Sequence, residues 1–109
     1  MKKVVYNKLI RDKIPEVITR TGGQFKTKTL TKKQFEKELK DKLIEESKEL
    51  GKASEKEIIN ELADVLELVK AISEHHKLNF KKVEKYQEKK QRERGGFKKK
   101  LFLLWSSEK

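Results

Sequence analysis

The sequence predicts a mainly α protein built around an antiparallel helical hairpin, and three observations carry that expectation. Apolar residues recur at three- and four-residue spacing through residues 31–50 and again through residues 58–72. A capping pair stands before each stretch, Thr31 with Gln34 and Ser54 with Glu57. The connection from Gly51 to Ala53 is short enough to force an antiparallel return. At 109 residues there is no room for a second core, so residues 1–109 read as one domain.

Taken in order, the elements begin with a short helix over residues 14–21. Pro15 suits its first turn, and Gly22-Gly23 ends it. Residues 24–30 alternate and carry threonines, which predicts a strand. The Thr31/Gln34 box opens a helix that Gly51 closes. Ser54/Glu57 opens the next, which runs to His75 or His76. Asn79 caps a further helix that Gly95-Gly96 ends. Residues 97–105 are expected to pair as a strand with residues 24–30 in a small β-hairpin.

Composition narrows the classes. Hydrophobic residues make up 34% and charged residues 43%, so a lone copy buries little and self-association is expected. Without cysteine, neither a disulfide nor a thiolate-bound zinc or iron–sulfur site can form. The apolar run of residues 101–105 is too short to cross a bilayer. Val4-Val5-Tyr6 after Met1-Lys2-Lys3 is no signal-peptide core, so a cytoplasmic protein is expected. The formal charge of +11 raises the reading of a non-enzymatic, polyanion-binding helical module. Most of that charge is lysine interleaved with glutamate, a pattern of solvated surfaces rather than of a groove that reads bases. A nucleic-acid partner is therefore not expected.

The informative anomaly is a set of acids on apolar faces. On the helix over residues 31–50, Phe35, Leu39, Leu43 and Leu50 fall within about 80° of one another, and Glu46 lies inside that arc. Glu49 sits about 60° to one side. On the next helix Ile58, Ile59, Leu62, Val65, Leu66, Val69 and Ile72 make an apolar face, widened by Leu68 and Ala63, so broad that partners must nearly surround it. Glu61 projects inside this face and Asp64 stands one turn on. An ionised carboxylate in an apolar stripe is costly unless a cation or donors compensate it. Each pair, Glu46/Glu49 and Glu61/Asp64, is three residues apart and stacks on one helix face. A hairpin folded at Lys52 brings the pairs together. Four carboxylates without His or Cys suit magnesium, or manganese. Glu45, Glu57 and Glu67 read instead as surface glutamates beside lysines.

Three stretches then resemble a known family. Glu45-Glu46-Ser47-Lys48-Glu49 followed by Glu61-Leu62-Ala63-Asp64 resembles the EExxE…ExxD signature of the MazG-like all-α nucleoside triphosphate pyrophosphohydrolases. Tyr6-Asn7-Lys8-Leu9-Ile10-Arg11-Asp12-Lys13-Ile14-Pro15-Glu16 is similar to the start of a small branch described as phosphoribosyl-ATP pyrophosphohydrolase-like. Arg94-Gly95-Gly96-Phe97-Lys98, with Leu101-Phe102-Leu103, resembles that branch's end. The resemblance implies helical subunits that form homodimers or homotetramers, with the acid cluster facing a bound triphosphate. It maps the metal ligands onto Glu46, Glu49, Glu61 and Asp64, and gives Glu45 a lesser part. The expected reaction releases a nucleoside monophosphate and pyrophosphate in nucleotide house-cleaning. Restriction to phosphoribosyl-ATP is the alternative.

A triphosphate carries about four negative charges that metal must neutralise before water attacks. Glu46 or Glu49 is expected to orient that water. Arg11 is the favoured phosphate clamp because a guanidinium holds phosphate through two hydrogen bonds; the competing reading pairs it with Asp12. Lys8, Lys13, Lys70 and Arg94, with Lys89 and Arg92, are further candidates for phosphate contact. His75 and His76 read as cations closing a helix, and Trp105 as an interface or core anchor. The polyanion-binding reading gives no reason for Glu46 and Glu61 to face a core.

Overall fold

Four helices follow one another in the computed structural model, which describes residues 2–108. They are α1 (Ile14–Arg20), α2 (Lys32–Lys52), α3 (Ile58–His75) and α4 (Phe80–Arg94). The mainly α expectation holds, and no strand is present among the described residues.

Local chemistry accounts for most boundaries. Pro15 lies in the first turn of α1, where its missing N–H costs nothing. At the other end Gly23 N–H donates to the Ile18 carbonyl (2.9 Å) and Gly22 N–H to Thr19 (3.0 Å). This closure needs a left-handed residue just past the last turn, and Gly22 supplies it at φ +82°. The Thr31/Gln34 capping box forms as expected. Gln34 N–H donates to Thr31 Oγ1 at 3.2 Å and Thr31 N–H to Gln34 Oε1 at 3.0 Å. Asn79 Oδ1 caps α4 by accepting from Lys81 N–H at 2.9 Å, and Gly95 ends it at φ +83°.

Three expectations need correction. Gly51 does not close α2, which continues to Lys52 before Ala53 turns extended. The connection is therefore residues 53–57, later than a fold at Lys52. Ser54 does not cap α3: its N–H and its hydroxyl both donate to Glu57 Oε1, at 3.1 and 2.9 Å. Glu57 N–H goes to the Ser54 carbonyl instead, and the helix starts one turn late, at Ile58. Finally, residues 24–30 and 97–105 form no β-hairpin. The apolar residues of the first, Phe25 and Leu30, are five apart and fall on opposite faces of a strand. The second is an unbroken apolar run at residues 101–105. Neither has a pattern that fixes a register.

The core lies between α2 and α3, which pack as an antiparallel pair. Leu39 and Leu68 are buried, and Phe35, Leu43, Leu50, Val65, Val69 and Ile72 are half-buried around them. Ser73 is buried too, its hydroxyl satisfied by the Val69 carbonyl at 2.8 Å. α4 touches α3, its first-turn residues Phe80 and Val83 are half-buried, and it is exposed beyond that turn. Within one chain α3 is not surrounded, since Ile59, Leu62 and Leu66 remain 77%, 51% and 45% exposed. No helix among the described residues is long and apolar enough to cross a membrane.

Candidate metal centre

The two helices of the hairpin bring three of the four expected ligands together. One carboxylate oxygen from each of Glu46, Glu61 and Asp64 lies within 4.8 Å of the others. Glu46 comes from the apolar stripe of α2, and Glu61 and Asp64 from successive turns of α3, so the centre bridges the hairpin. All three are half-buried. Glu49 is not in the group; it is exposed on the flank of α2, one turn towards the connection. Its sideways position on α2, already legible as an offset of about 60°, leaves it outside.

The electrostatics are those of a site short of positive charge. Partial burial, above all, pushes the Glu46 carboxyl above the usual glutamate range, and Asp64 adds to the rise. Lys42, one turn earlier on α2, opposes it, while Glu61 and Glu45 raise it further. Lys42 is a neighbouring cation that sequence reasoning did not place in the site, although its spacing four residues before Glu46 was there to be read.

Arg11 supplies the centre's direct cationic contact. Its Nη2 donates to Asp64 Oδ1 at 2.8 Å, with the two side chains 56% and 33% exposed. Among the described residues this is the one side-chain hydrogen bond between residues far apart in sequence. It ties the segment before α1 to the hairpin. Asp12, the alternative partner for Arg11, does not pair with it. The guanidinium keeps N–H donors beyond the one spent on Asp64, beside the carboxylates that would hold a cation.

The remaining candidates are dispersed. Lys8 lies over the Tyr6 ring (5.7 Å) and lines a shallow groove with Leu9, Glu38, Asp41, Lys42 and Glu45, next to the centre on α2. Lys13 lines a separate open depression with Pro15, Glu16 and Phe25. Lys70 Nζ sits 5.3 Å from the Phe80 ring centre, where α3 meets α4. Lys89, Arg92 and Arg94 are exposed on the outer part of α4. His75 and His76 approach Glu36 Oε1 at 3.7 and 3.3 Å, and His75 packs edge-on against Phe35. That cluster closes α3 at the end away from Glu61. Trp105 is 80% exposed, so it anchors no core within the chain.

Three oxygen donors and no nitrogen or sulfur fit a hard divalent cation, which would also favour the ionised form of a Glu46 carboxyl that burial and the neighbouring acids disfavour. A carboxylate-held divalent cation beside a guanidinium is an arrangement suited to binding and cleaving a phosphoanhydride.

The comparisons with known proteins agree with that chemistry. The family model for phosphoribosyl-ATP pyrophosphohydrolase matches residues 6–92, from the segment that carries Arg11 through nearly all of α4. No curated protein and no solved structure matches the chain. The chain therefore belongs to the phosphoribosyl-ATP pyrophosphohydrolase family, within the MazG-like all-α NTP pyrophosphohydrolase superfamily, and is a hydrolase acting on phosphoanhydride bonds.

Proposed function

We propose that this chain is a magnesium-dependent nucleoside triphosphate pyrophosphohydrolase that cleaves the α,β-anhydride and serves cytoplasmic nucleotide house-cleaning. The observation that carries this reading is the convergence of Glu46, Glu61 and Asp64 across an otherwise apolar helix interface. Magnesium, or manganese, held there would neutralise phosphate oxygens and polarise the α-phosphorus. Glu49, exposed beside the centre, is assigned as a further ligand when substrate arrives. It shares with Glu46 the task of orienting water and taking its proton. Attack forms a bond from water oxygen to the α-phosphorus and breaks the bond to the α,β-bridging oxygen. Pyrophosphate leaves with that oxygen.

Arg11 is assigned to the phosphates, since its guanidinium already stands at Asp64 and holds oxyanions through paired hydrogen bonds. Lys8 is a nearby second cation. Lys13, Lys70 and Arg94 lie outside the centre in a single chain and would act only from a second copy or after rearrangement. The exposed apolar residues of α3 support a homodimer or homotetramer.

Phosphoribosyl-ATP is the second reading of the substrate, favoured by the description of the matched family. It too carries a triphosphate, so the same centre serves either. A panel of canonical and damaged nucleoside triphosphates and phosphoribosyl-ATP, assayed with magnesium, separates the two. Pyrophosphate with one equivalent of monophosphate is expected, abolished by EDTA. Orthophosphate and a diphosphate as main products would overturn the assignment.

A further inference from the structure

The chain exposes 10961 Å² of accessible surface, whereas a folded monomer of 12.9 kDa exposes about 6,300 Å². The excess, on the order of 4,600 Å², is several times the roughly 800 Å² that each partner buries in a stable association. The radius of gyration tells the same story, 18.8 Å against about 13 Å for a compact chain of this length. Two apolar features lie within the open surface. One is the stripe Ile59–Leu62–Leu66, spaced by three and four along α3 and uncovered by α2 or α4. The other is the segment after α4, in which Phe97 and the five residues 101–105 are between 77% and 96% exposed.

These surfaces complement each other in charge as well as in polarity. Residues 32–75, which hold the stripe, carry twelve Asp/Glu against nine Lys. Residues 76–109 carry twelve Lys/Arg against four Glu, and Lys98, Lys99 and Lys100 immediately precede Leu101. The tail does not reach the stripe of its own chain, because α4 leaves α3 after its first turn and carries the tail away.

We propose that residues 97–105 are an exchange arm that seats on the Ile59–Leu62–Leu66 stripe of a second copy of this chain. The inference rests on the homo-oligomer reading above and names the segments that make the contact. Each copy offers one arm and one stripe, so two reciprocal contacts close a symmetric pair and leave neither surface in water. The ten residues 96–105 span up to about 35 Å, enough to cross to a neighbouring subunit. The lysines then lie along the acidic hairpin, on the helix that bears Glu61 and Asp64.

The absence of cysteine makes the contact directly testable. A tagged Leu62→Cys chain is mixed with an untagged Leu103→Cys chain and oxidised mildly, with a Glu88→Cys chain in place of the first as the control for random collision. The expected result is a cross-linked pair of unlike chains, at least tenfold more abundant than in the control. Trp105, the single tryptophan, should shift its emission to the blue as concentration rises through association. A cross-link within one doubly substituted chain at nanomolar concentration would put the arm on its own α3 and overturn the proposal. A stable dimer in sedimentation without the cross-link overturns the arm while leaving the oligomer standing. A monomer at micromolar concentration overturns both. A Trp105 shift produced only by phosphatidylserine vesicles, without a cross-link, assigns the arm to a membrane surface and also overturns the proposal.

Discussion

The α2–α3 hairpin and the segments that flank it are opposites in charge and in packing. The hairpin is net acidic and holds both buried leucines, Leu39 and Leu68. The first 31 residues carry eight Lys/Arg against two acids, the last 34 carry twelve against four, and few of these residues are even half-buried. The hairpin makes its own core and gathers three carboxylates across it. The flanks are held by little more than the Arg11–Asp64 bond and the first turn of α4. Under the proposed function, the acids would hold the cation and nearby bases the phosphates of a metal–triphosphate substrate. The formal charge of +11 is thus the sum of an acidic hairpin and two basic flanks.

The largest effect should follow from breaking the acidic side. Asp64→Asn removes one proposed ligand and the partner of Arg11 together. Pyrophosphate release at saturating magnesium should fall at least about 100-fold, equivalent to about 2.7 kcal/mol of barrier, with helix content unchanged by circular dichroism. Retained turnover would separate the acidic hairpin from the chemistry.

Arg11→Lys tests the link between the two regions. It keeps the charge and removes the fork that grips phosphate. KM for the triphosphate should rise about tenfold, with a smaller change in kcat, while stability shifts by no more than ~1 kcal/mol because the pair is half in water. Lost stability with unchanged KM would make Arg11 a structural tie only.

The helices and the anomaly on their faces were legible in the sequence because both follow from local rules. Thr31/Gln34 and Asn79 are caps within three residues, and Glu46 among Phe35, Leu39, Leu43 and Leu50 is a matter of angle along one helix. The hairpin's register was less legible, since it depends on how Ser54 spends its hydroxyl. With the hydroxyl given to Glu57, α3 starts a turn later than the expected cap would place it. Nothing in sequence announces a contact between Arg11 and Asp64, 53 positions apart in different elements. The strands expected at residues 24–30 and 97–105 failed because alternation or apolarity alone does not name a partner.

Glu46→Gln sharpens the electrostatic half of the comparison. In the metal-free protein the Glu46 carboxyl titrates above its usual 4.5. Its contribution to stability is therefore present below that value and is lost as pH rises through the raised one. Above that window Glu46→Gln should raise the metal-free melting temperature, and at pH 4 the two proteins should melt nearly together. A gain that is equal at every pH would deny that charge is its cause.

The smallest effect lies at the junction between hairpin and basic C-terminal segment. Lys77 closes α3 in the left-handed region at φ +58°, with Lys77 N–H bonded to Glu74 and Leu78 N–H to Ser73. Lys77→Gly should stabilise the chain by about 0.5–1 kcal/mol in denaturant melts, by relieving the Cβ strain at that position. A loss of that size would mean that Lys77 contributes more as a cation at the helix end than it costs in strain.

Calorimetric titration of magnesium into the protein saturated with a non-hydrolysable α,β-methylene triphosphate tests most directly whether Glu46, Glu61 and Asp64 form the cation site. Wild type and Glu61→Gln are compared on matched preparations. The substitution keeps size and hydrogen bonding and removes one negative charge, so affinity for magnesium should fall at least tenfold, about 1.4 kcal/mol. The metal-free melting temperature should stay level or rise, because one of three mutually repelling carboxylates is gone. Equal magnesium affinity in the two proteins would contradict the assignment and return Glu61 to the ordinary acids of a helix face.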